Sequence, residues 1–192
     1  SKNVAPRMLG VHPDPHAWQN LANGQIYVRN IQTALVNAAP LHASAIGQRG
    51  ERYAAALKAL EHEVRNAFAK IAPEARRVVT SHDAFGYFGA AYGIEFLAPQ
   101  GWSTDSEASA RDVARIVQQI RTQRVLALFV ENITDARLIE RIQAEAGGVI
   151  GAPLYSDALS APGTSADTYI KMFRHNTQAL STALRANPVV AR

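Results

Sequence analysis

The stretch RRVVTSHDAFGYFGAAYG, residues 76–93, decides how the rest of the sequence is read. Two β-branched valines follow two arginines, as in a short buried strand, and the run ends in a Thr-Ser-His triplet. The segment that follows is rich in aromatic residues and is predicted to form a helix. The sequence therefore predicts a strand at residues 77–80 and a helix from residue 84 to about residue 92, with His82 directly after the strand.

Three more strand–helix units follow this stretch. Short apolar runs predict the strands IEFLA (residues 94–98), VLALFVE (125–131) and VIGAPLY (149–155). Helical patterns lie between and after them, at residues 106–123, 134–148 and 166–186. Strands that alternate with helices indicate an open parallel sheet covered by helices on both faces. We therefore predict an α/β fold with an open four-stranded parallel sheet flanked by helices.

Two helices are predicted before the sheet, and no strand is expected ahead of them. Asp14 and Pro15 are typical of a helix start, because Asp can cap and Pro fits the first helical position. This helix should run to about Asn37. A second helix, from about residue 42 to residue 71, keeps one apolar face over nearly thirty residues: Ile46, Tyr53, Leu57, Leu60, Val64, Phe68 and Ile71. Its length indicates a strut.

The composition restricts the class of protein. Hydrophobic residues make up 47% of the 192-residue chain, which is enough for a buried core. The chain contains no cysteine, which excludes thiolate metal sites, thiol nucleophiles and disulfides. The net charge is +4, but the arginines are scattered, so no nucleic acid partner is expected. No apolar run is long enough to span a bilayer, and the first residues do not read as a signal peptide.

Polar side chains follow three of the four predicted strands. His82 follows the first strand, Glu131 ends the third and Asp157 follows the fourth. In open parallel sheets, ligands bind at the carboxyl edge of the strands, so these side chains should converge there. Imidazole and carboxylate without thiolate suit a divalent cation such as zinc or manganese. His16, in the first turn after Asp14, is at a helix end from which it can join them.

Each of these residues also has a structural interpretation. His82 is alternatively a helix-capping or loop histidine, and Asp157 alternatively caps a turn. Glu131 fits better as a hydrogen-bond partner of a ligand, or of helix N–H groups, than as a ligand itself. Glu107 is in capping-box spacing with Thr104. The remaining histidines are expected in a loop or on exposed helix faces: His12, His42, His62 and His175.

Several enzyme classes are excluded. Ser81, His82 and Asp83 are contiguous, so their side chains diverge and cannot form a catalytic triad. The sequence contains no G-x-S-x-G elbow. It also contains no G-x-G-x-x-G motif after a strand and no P-loop, so the glycines that cradle nucleotide phosphates are missing.

Four motifs together resemble a known family. They are DPHAW (residues 14–18), VTSHDAFGYF (79–88), GWSTDSEAS (101–109) and LYSDALS with GTSADTYIKMFRHN (154–176). In order and spacing they look like the solute-binding proteins of zinc and manganese ABC transporters. The resemblance covers essentially the whole chain from about Asp14.

The resemblance implies a fold and a role. It implies two α/β lobes joined by one long rigid helix, with a metal ion bound between the lobes. It further implies a periplasmic or otherwise extracytoplasmic protein that hands the ion to ABC permease membrane subunits, with no catalysis. Carried over by motif, the metal ligands are His16, His82 and Asp157. A histidine at position 82, where some manganese-type members carry glutamate, favours zinc over manganese.

One departure from the family pattern affects what is expected of this chain. The family's first ligand, a histidine in the amino-terminal lobe, has no counterpart here. The chain is therefore expected to be a fragment, with residues 1–40 as the last helix of that lobe, 41–72 as the interlobe helix and 73–192 as the carboxyl-terminal lobe. Such a fragment should bind metal more weakly than the intact protein, down to no binding at all.

The first helix is expected to have lost its packing partner in this fragment. This leaves His16 without a fixed position. The helix is then expected to fold back, to fray or to pair with another chain through its exposed apolar residues, namely Trp18, Leu21, Ile31 and Leu35.

Two other functions fit the same residues. One is a mononuclear metallohydrolase that uses the three ligands, a metal-activated water and Glu131 as general base. The other is a surface adhesin of the same fold. Binding of a transported metal ion is the function that we expect.

Overall fold

The computed structural model of the chain describes residues 3–101 and 108–186. The predicted capping-box residues Thr104 and Glu107 lie outside the described residues. The strands are β1 (Met8–Leu9), β2 (His12–Pro13), β3 (Arg77–Val79), β4 (Glu95–Leu97), β5 (Ala127–Leu128) and β6 (Val149–Ile150). The α-helices are α1 (Leu21–Ala38), α2 (Ala43–Ala69), α3 (Gly86–Tyr92), α4 (Ala110–Gln123), α5 (Arg137–Ala146) and α6 (Tyr169–Arg185).

The main sheet has the order β4–β3–β5–β6, and all of its strand pairs are parallel. Val78 of β3 pairs with Phe96 on one side and with Ala127 on the other. Isolated bridges extend the pairing beyond the regular strands, joining His82 to Gln100 and Glu131 to Leu154. The predicted α/β fold with a four-stranded parallel sheet is thus confirmed.

Helices cover both faces of the sheet because successive residues of a strand point to opposite faces. Val78 belongs to a core shared with α2, α3 and α6, which contains the buried rings of Phe68, Phe88 and Phe173. Val79 belongs to a second core shared with α4 and α5, which contains Ile116 and Ile139. The strands therefore lie between two apolar layers, and polar groups can gather only at the strand ends.

The long helix predicted for residues 42–71 is present as α2, a helix of 27 residues, and its role as a strut stays a prediction. Its buried side chains, Leu57, Leu60, Val64 and Phe68, all lie in its second half. The first half packs along α1, and there Tyr53 is 39% exposed. No helix within the described ranges has the length and apolar character to cross a bilayer.

The start of the first helix was predicted wrongly. Asp14 does not cap it: a 3-10 turn at Ala17–Gln19 comes first, and α1 begins at Leu21 with Asn20 as its cap. The Asn20 side chain accepts a hydrogen bond from the Ala22 N–H at 2.8 Å, and this satisfies a free helix N–H. The small hairpin of β1 and β2 was also not expected.

The expected exposure of the first helix is correct for only half of the residues. Leu21 is fully buried in the core with α2 and α3, and Trp18 is half-buried. Ile31 and Leu35, about three and four turns further along α1, are 58% and 50% exposed. The division into residues 1–40, 41–72 and 73–192 stays a prediction.

Candidate metal centre

The carboxyl edge of the sheet brings together the residues that the sequence predicted there. His82 follows β3, Glu131 follows β5 and Asp157 lies beyond the bridge that continues β6. His16, from the segment before α1, completes the group. Ligand atoms of His16, His82 and Asp157 all lie within 4.8 Å of one another.

His82 is fully buried, and Glu131 fixes its orientation. The His82 backbone N–H donates to Glu131 Oε1 at 2.9 Å, and the ring Nδ1 lies 2.8 Å from Glu131 Oε2. The Nε2 atom on the other side of the ring lies 3.3 Å from Asp157 Oδ2. Burial disfavours the charged ring, but the carboxylates of Asp157 and Glu131 outweigh it and raise the pKa of His82 to about 9.

His16 is held in the same manner by a different carboxylate. Its backbone N–H and its ring Nδ1 both contact Asp14 Oδ1, at 2.9 and 2.8 Å. Its Nε2 lies 3.5 Å from Asp157 Oδ1, and its ring is 5.4 Å from the ring of His82 between centroids. His16 is 2% exposed, so the expectation that it lacks a fixed position is wrong.

The segment around the β1–β2 hairpin places Asp14. The Asp14 backbone N–H donates to the Arg7 carbonyl at 2.7 Å, and the Arg7 guanidinium lies 3.4 Å from Asp14 Oδ2. The Arg7 backbone N–H donates to Tyr87 Oη of α3 at 2.6 Å. Burial raises the pKa of the neighbouring Asp83, and the charge of Arg7 opposes that rise. The site is therefore supported from the amino-terminal side by residues of this chain.

The 3-10 turn that follows His16 is also anchored by neighbouring elements. Asn23 donates to the Ala17 carbonyl at 2.9 Å, and Tyr169 Oη of α6 donates to the Trp18 carbonyl at 2.6 Å. Tyr169 can approach because residue 24 is glycine: a Cβ there would lie 2.7 Å from its Oη. These contacts explain why His16 is buried although it precedes α1 and is far from the sheet in sequence.

Asp157 is the open side of the group. Its side chain is 29% exposed, whereas the side chains of His16 and His82 are 3% and 1% exposed. Two imidazole nitrogens and one carboxylate oxygen are a suitable ligand set for zinc, and three protein ligands leave one coordination position for a further group. The arrangement can therefore hold a divalent cation that enters from the Asp157 side.

Reasoning from the sequence identified the group but missed the residues that support it. Asp14 was interpreted as a helix cap, and Gln19 and Tyr169 were given no role. The two-residue spacing between Asp14 and His16 is the signal that was available, since a carboxylate two residues before a histidine can accept from its backbone N–H. Of the other histidines, His62 is exposed, and His175 Nε2 lies 2.9 Å from the Pro153 carbonyl.

Known proteins share both the sequence and the fold. The chain is 36% identical over 177 residues to the manganese-binding lipoprotein MntA of Bacillus subtilis, covering 90% of this chain and 58% of that protein. It is 36% identical over 176 residues to the zinc-binding protein TroA of Treponema pallidum, covering 89% of this chain and 57% of TroA. The solved structure of periplasmic TroA superposes with a TM-score of 0.89 at 34% identity, covering 93% of this chain and 67% of TroA.

The chain thus spans somewhat more than half the length of these curated relatives. The family model described as zinc-uptake complex component A, periplasmic, matches residues 2–183, which include every residue of the candidate site. The chain therefore belongs to this family of periplasmic zinc-uptake complex A components.

Proposed function

We propose that the chain binds a divalent metal ion as the solute-binding component of an ABC importer, with His16, His82 and Asp157 as the ligands. The observation that carries the proposal is the convergence of their ligand atoms within 4.8 Å. Asp14 and Glu131 face the Nδ1 atoms of the two histidines, which favours the tautomer whose Nε2 lone pair is free to bind a cation.

Zinc is the ion that this ligand set favours over manganese. Two of the three ligand atoms are imidazole nitrogens, and nitrogen suits zinc, whereas manganese prefers a site richer in oxygen. The names of the relatives do not decide the metal, since MntA is named for manganese and TroA for zinc.

The open side of the site suits a transported ion. A cation at the two buried imidazoles would remain accessible at Asp157, so it can leave without unfolding of the sheet. We infer that the protein acts outside the cytoplasmic membrane and hands the ion to the membrane subunits of an ABC permease.

Hydrolysis is not supported, and we infer that the protein is not an enzyme. A metallohydrolase would need Glu131 as its general base. Glu131 is 1% exposed, and each of its carboxylate oxygens already contacts His82. It therefore supports a ligand and is not available to a water molecule.

We also propose self-association through the first helix, with fewer residues than the sequence predicted. Ile31 and Leu35 are the large apolar residues that remain exposed on α1, so they are the ones that a second copy would cover. Sedimentation velocity of the wild type against the double variant Ile31→Lys with Leu35→Lys tests this. A dimer that the double variant lacks is the expected result, and a wild type that is monomeric at all concentrations contradicts it.

Zinc and manganese titrations of this chain test the function. Zinc at 100 times its dissociation constant stabilises a protein by about 2.7 kcal/mol, which for this size raises the Tm by roughly 5–10 °C. His82→Ala or Asp157→Ala should weaken zinc binding by about 100-fold or more, since each removes a ligand outright, whereas loss of an outer partner alone costs 10–100-fold.

His62→Ala is the matched control, because His62 is an exposed histidine on α2 away from the site. It should leave zinc binding and the Tm shift unchanged. A wild-type Tm that neither zinc nor manganese moves would contradict the proposal, as would a loss in His62→Ala equal to that in His82→Ala.

A further inference from the structure

Asp157 differs from the other two proposed ligands in how it is held. His16 and His82 each have a carboxylate partner at Nδ1. Within residues 3–101 and 108–186, the ion contacts of the Asp157 carboxylate are with the two imidazole Nε2 atoms, so it has no positioning partner of its own. Its place beside a cation must therefore come from the backbone that precedes it.

That backbone is fixed by buried amide side chains. Asn176 of α6 accepts from the Tyr155 N–H at 2.9 Å and donates to the Tyr155 carbonyl at 2.7 Å. The next carbonyl, that of Ser156, accepts from Gln19 Nε2 at 2.9 Å and from Trp18 Nε1 at 3.0 Å. The residue immediately before Asp157 is thus held by two donors.

Both of these donors come from the segment that carries His16. Gln19 and Trp18 are three and two residues after His16, in the 3-10 turn, and they are separated from Ser156 by 137 and 138 positions in sequence. The turn is itself anchored by Asn23 and Tyr169. A shift of the Asp157 loop would therefore break hydrogen bonds to the His16 segment.

Gln19 is the donor with the stronger claim to this role. It is 1% exposed, so a broken bond would leave its buried amide without this acceptor, whereas the Ser156 carbonyl would still accept from Trp18. Trp18 is half-buried, and its ring also contacts the ring of His16 at 5.4 Å between centroids.

We propose that Gln19 is a positioning residue for the metal site: through the Ser156 carbonyl it holds Asp157 in place beside His16, so that these two ligands approach and leave the cation together. This inference rests on the proposed function, because it concerns the same metal site. It adds a residue that contacts no ligand atom and acts through the backbone of the loop.

Gln19→Met tests the proposal, because methionine keeps the length and volume of the side chain but cannot donate. We expect zinc to bind about tenfold more weakly, at the lower end of the effect of removing a group that supports a metal ligand. Gln25→Met is the matched control: Gln25 is a partly buried glutamine of α1 that contacts Glu61 at 3.4 Å, away from the site. It should leave the zinc affinity unchanged.

A double-mutant cycle separates positioning from a general structural effect. In an Asp157→Ala background the loop has no ligand to place, so Gln19→Met should change the residual zinc affinity by less than about twofold. A tenfold loss that persists in that background overturns the proposal. Cobalt(II) gives a second readout, since loss of a protein ligand to water weakens the visible absorption of a four-coordinate ion.

Trp18→Phe provides a second variant should Gln19→Met fold poorly. It removes the other donor to the Ser156 carbonyl and keeps a ring beside His16, and its effect should be smaller than that of Gln19→Met but should vanish in the same background. A wild-type chain that binds no zinc defeats the proposed function, whereas a wild type that binds zinc as tightly as both variants defeats only the role of Gln19.

Discussion

The metal site and the far end of the α1–α2 pair, around Ile31 and Leu41, both depart from the usual pattern of buried apolar and exposed polar side chains. They do so in opposite ways. At the sheet edge, ionisable side chains are buried: His16, His82 and Glu131 are all no more than 2% exposed. At the far end of the helix pair, apolar side chains are in solvent, with Ile31 58% and Leu41 96% exposed.

Described residues of this chain pair with the buried ionisable side chains, but described core residues do not cover the exposed apolar ones. A buried charge costs free energy unless it is paired, and at the sheet edge Glu131 and Asp14 each face an imidazole. At the far end, no described core residue covers Ile31 or Leu35. The buried ionisable side chains are thus stabilised by pairing within this fold, whereas the exposed apolar side chains contribute little to its stability.

The largest expected effect compares the two ends of the helix pair. Leu57→Ala should lower the free energy of unfolding by about 2–5 kcal/mol, because Leu57 is fully buried and its removal leaves a cavity. Leu35→Ala, at a side chain that is 50% exposed, should cost less than about 0.5 kcal/mol. Urea unfolding monitored by circular dichroism measures both. Equal losses would show that the far end is covered after all.

The next largest effect concerns the pairing of Glu131 with His82 at the sheet edge. In Glu131→Gln the amide oxygen can still accept from the His82 N–H, but the NH2 group then faces the ring Nδ1. The ring should respond by moving its proton to Nε2, which removes the lone pair that would bind a cation. Zinc should bind 10–100-fold more weakly, which titration calorimetry measures.

Glu145→Gln is the control for this experiment, since Glu145 makes an exposed ion pair with Arg141 on α5. It should not change zinc binding. Unchanged zinc affinity in Glu131→Gln would mean that the carboxylate beside His82 has no part in presenting the ligand.

The sheet edge could be predicted from sequence because its logic is local and periodic. Four apolar runs gave the strands, and the carboxyl ends of parallel strands share one edge, so His82, Glu131 and Asp157 had to converge. His16 was less accessible to such reasoning, since it precedes a helix rather than following a strand. Its place at a helix end made it a candidate, and the family resemblance implied it as a ligand.

The supporting contacts could not be predicted because they are either ambiguous or long-range. A carboxylate at position 14 serves equally as a helix cap or as a partner of His16, and Asn20 took the cap. Leu21 looked exposed on its own helix, but it is buried in a core with residues of α2 and α3. The bond from Gln19 to Ser156 joins residues that no local pattern connects.

The smallest expected effect concerns an ion pair at the surface. It tests whether an exposed pair stabilises the fold as much as the buried pairs of the metal site. Arg174 of α6 binds both carboxylate oxygens of Glu63 on α2 at 3.0 Å, with side chains 56% and 51% exposed. At neutral pH, Glu63→Gln should cost less than about 1 kcal/mol, because solvent screens such pairs. Denaturant unfolding at low salt measures the loss.

The pH dependence of this small effect has a definite sign. The hydrogen bond and charge of Arg174 lower the pKa of Glu63 from 4.5 in the folded protein. A lowered folded pKa means that the pair stabilises the fold above about pH 4.5 and that this contribution is lost as the pH falls through the lower value. The stability difference between wild type and Glu63→Gln should therefore shrink on acidification. Glu51→Gln, at an exposed position on the same helix, is the control, and a Glu63→Gln loss that persists well below the folded pKa would show that the carboxylate acts by packing rather than by charge.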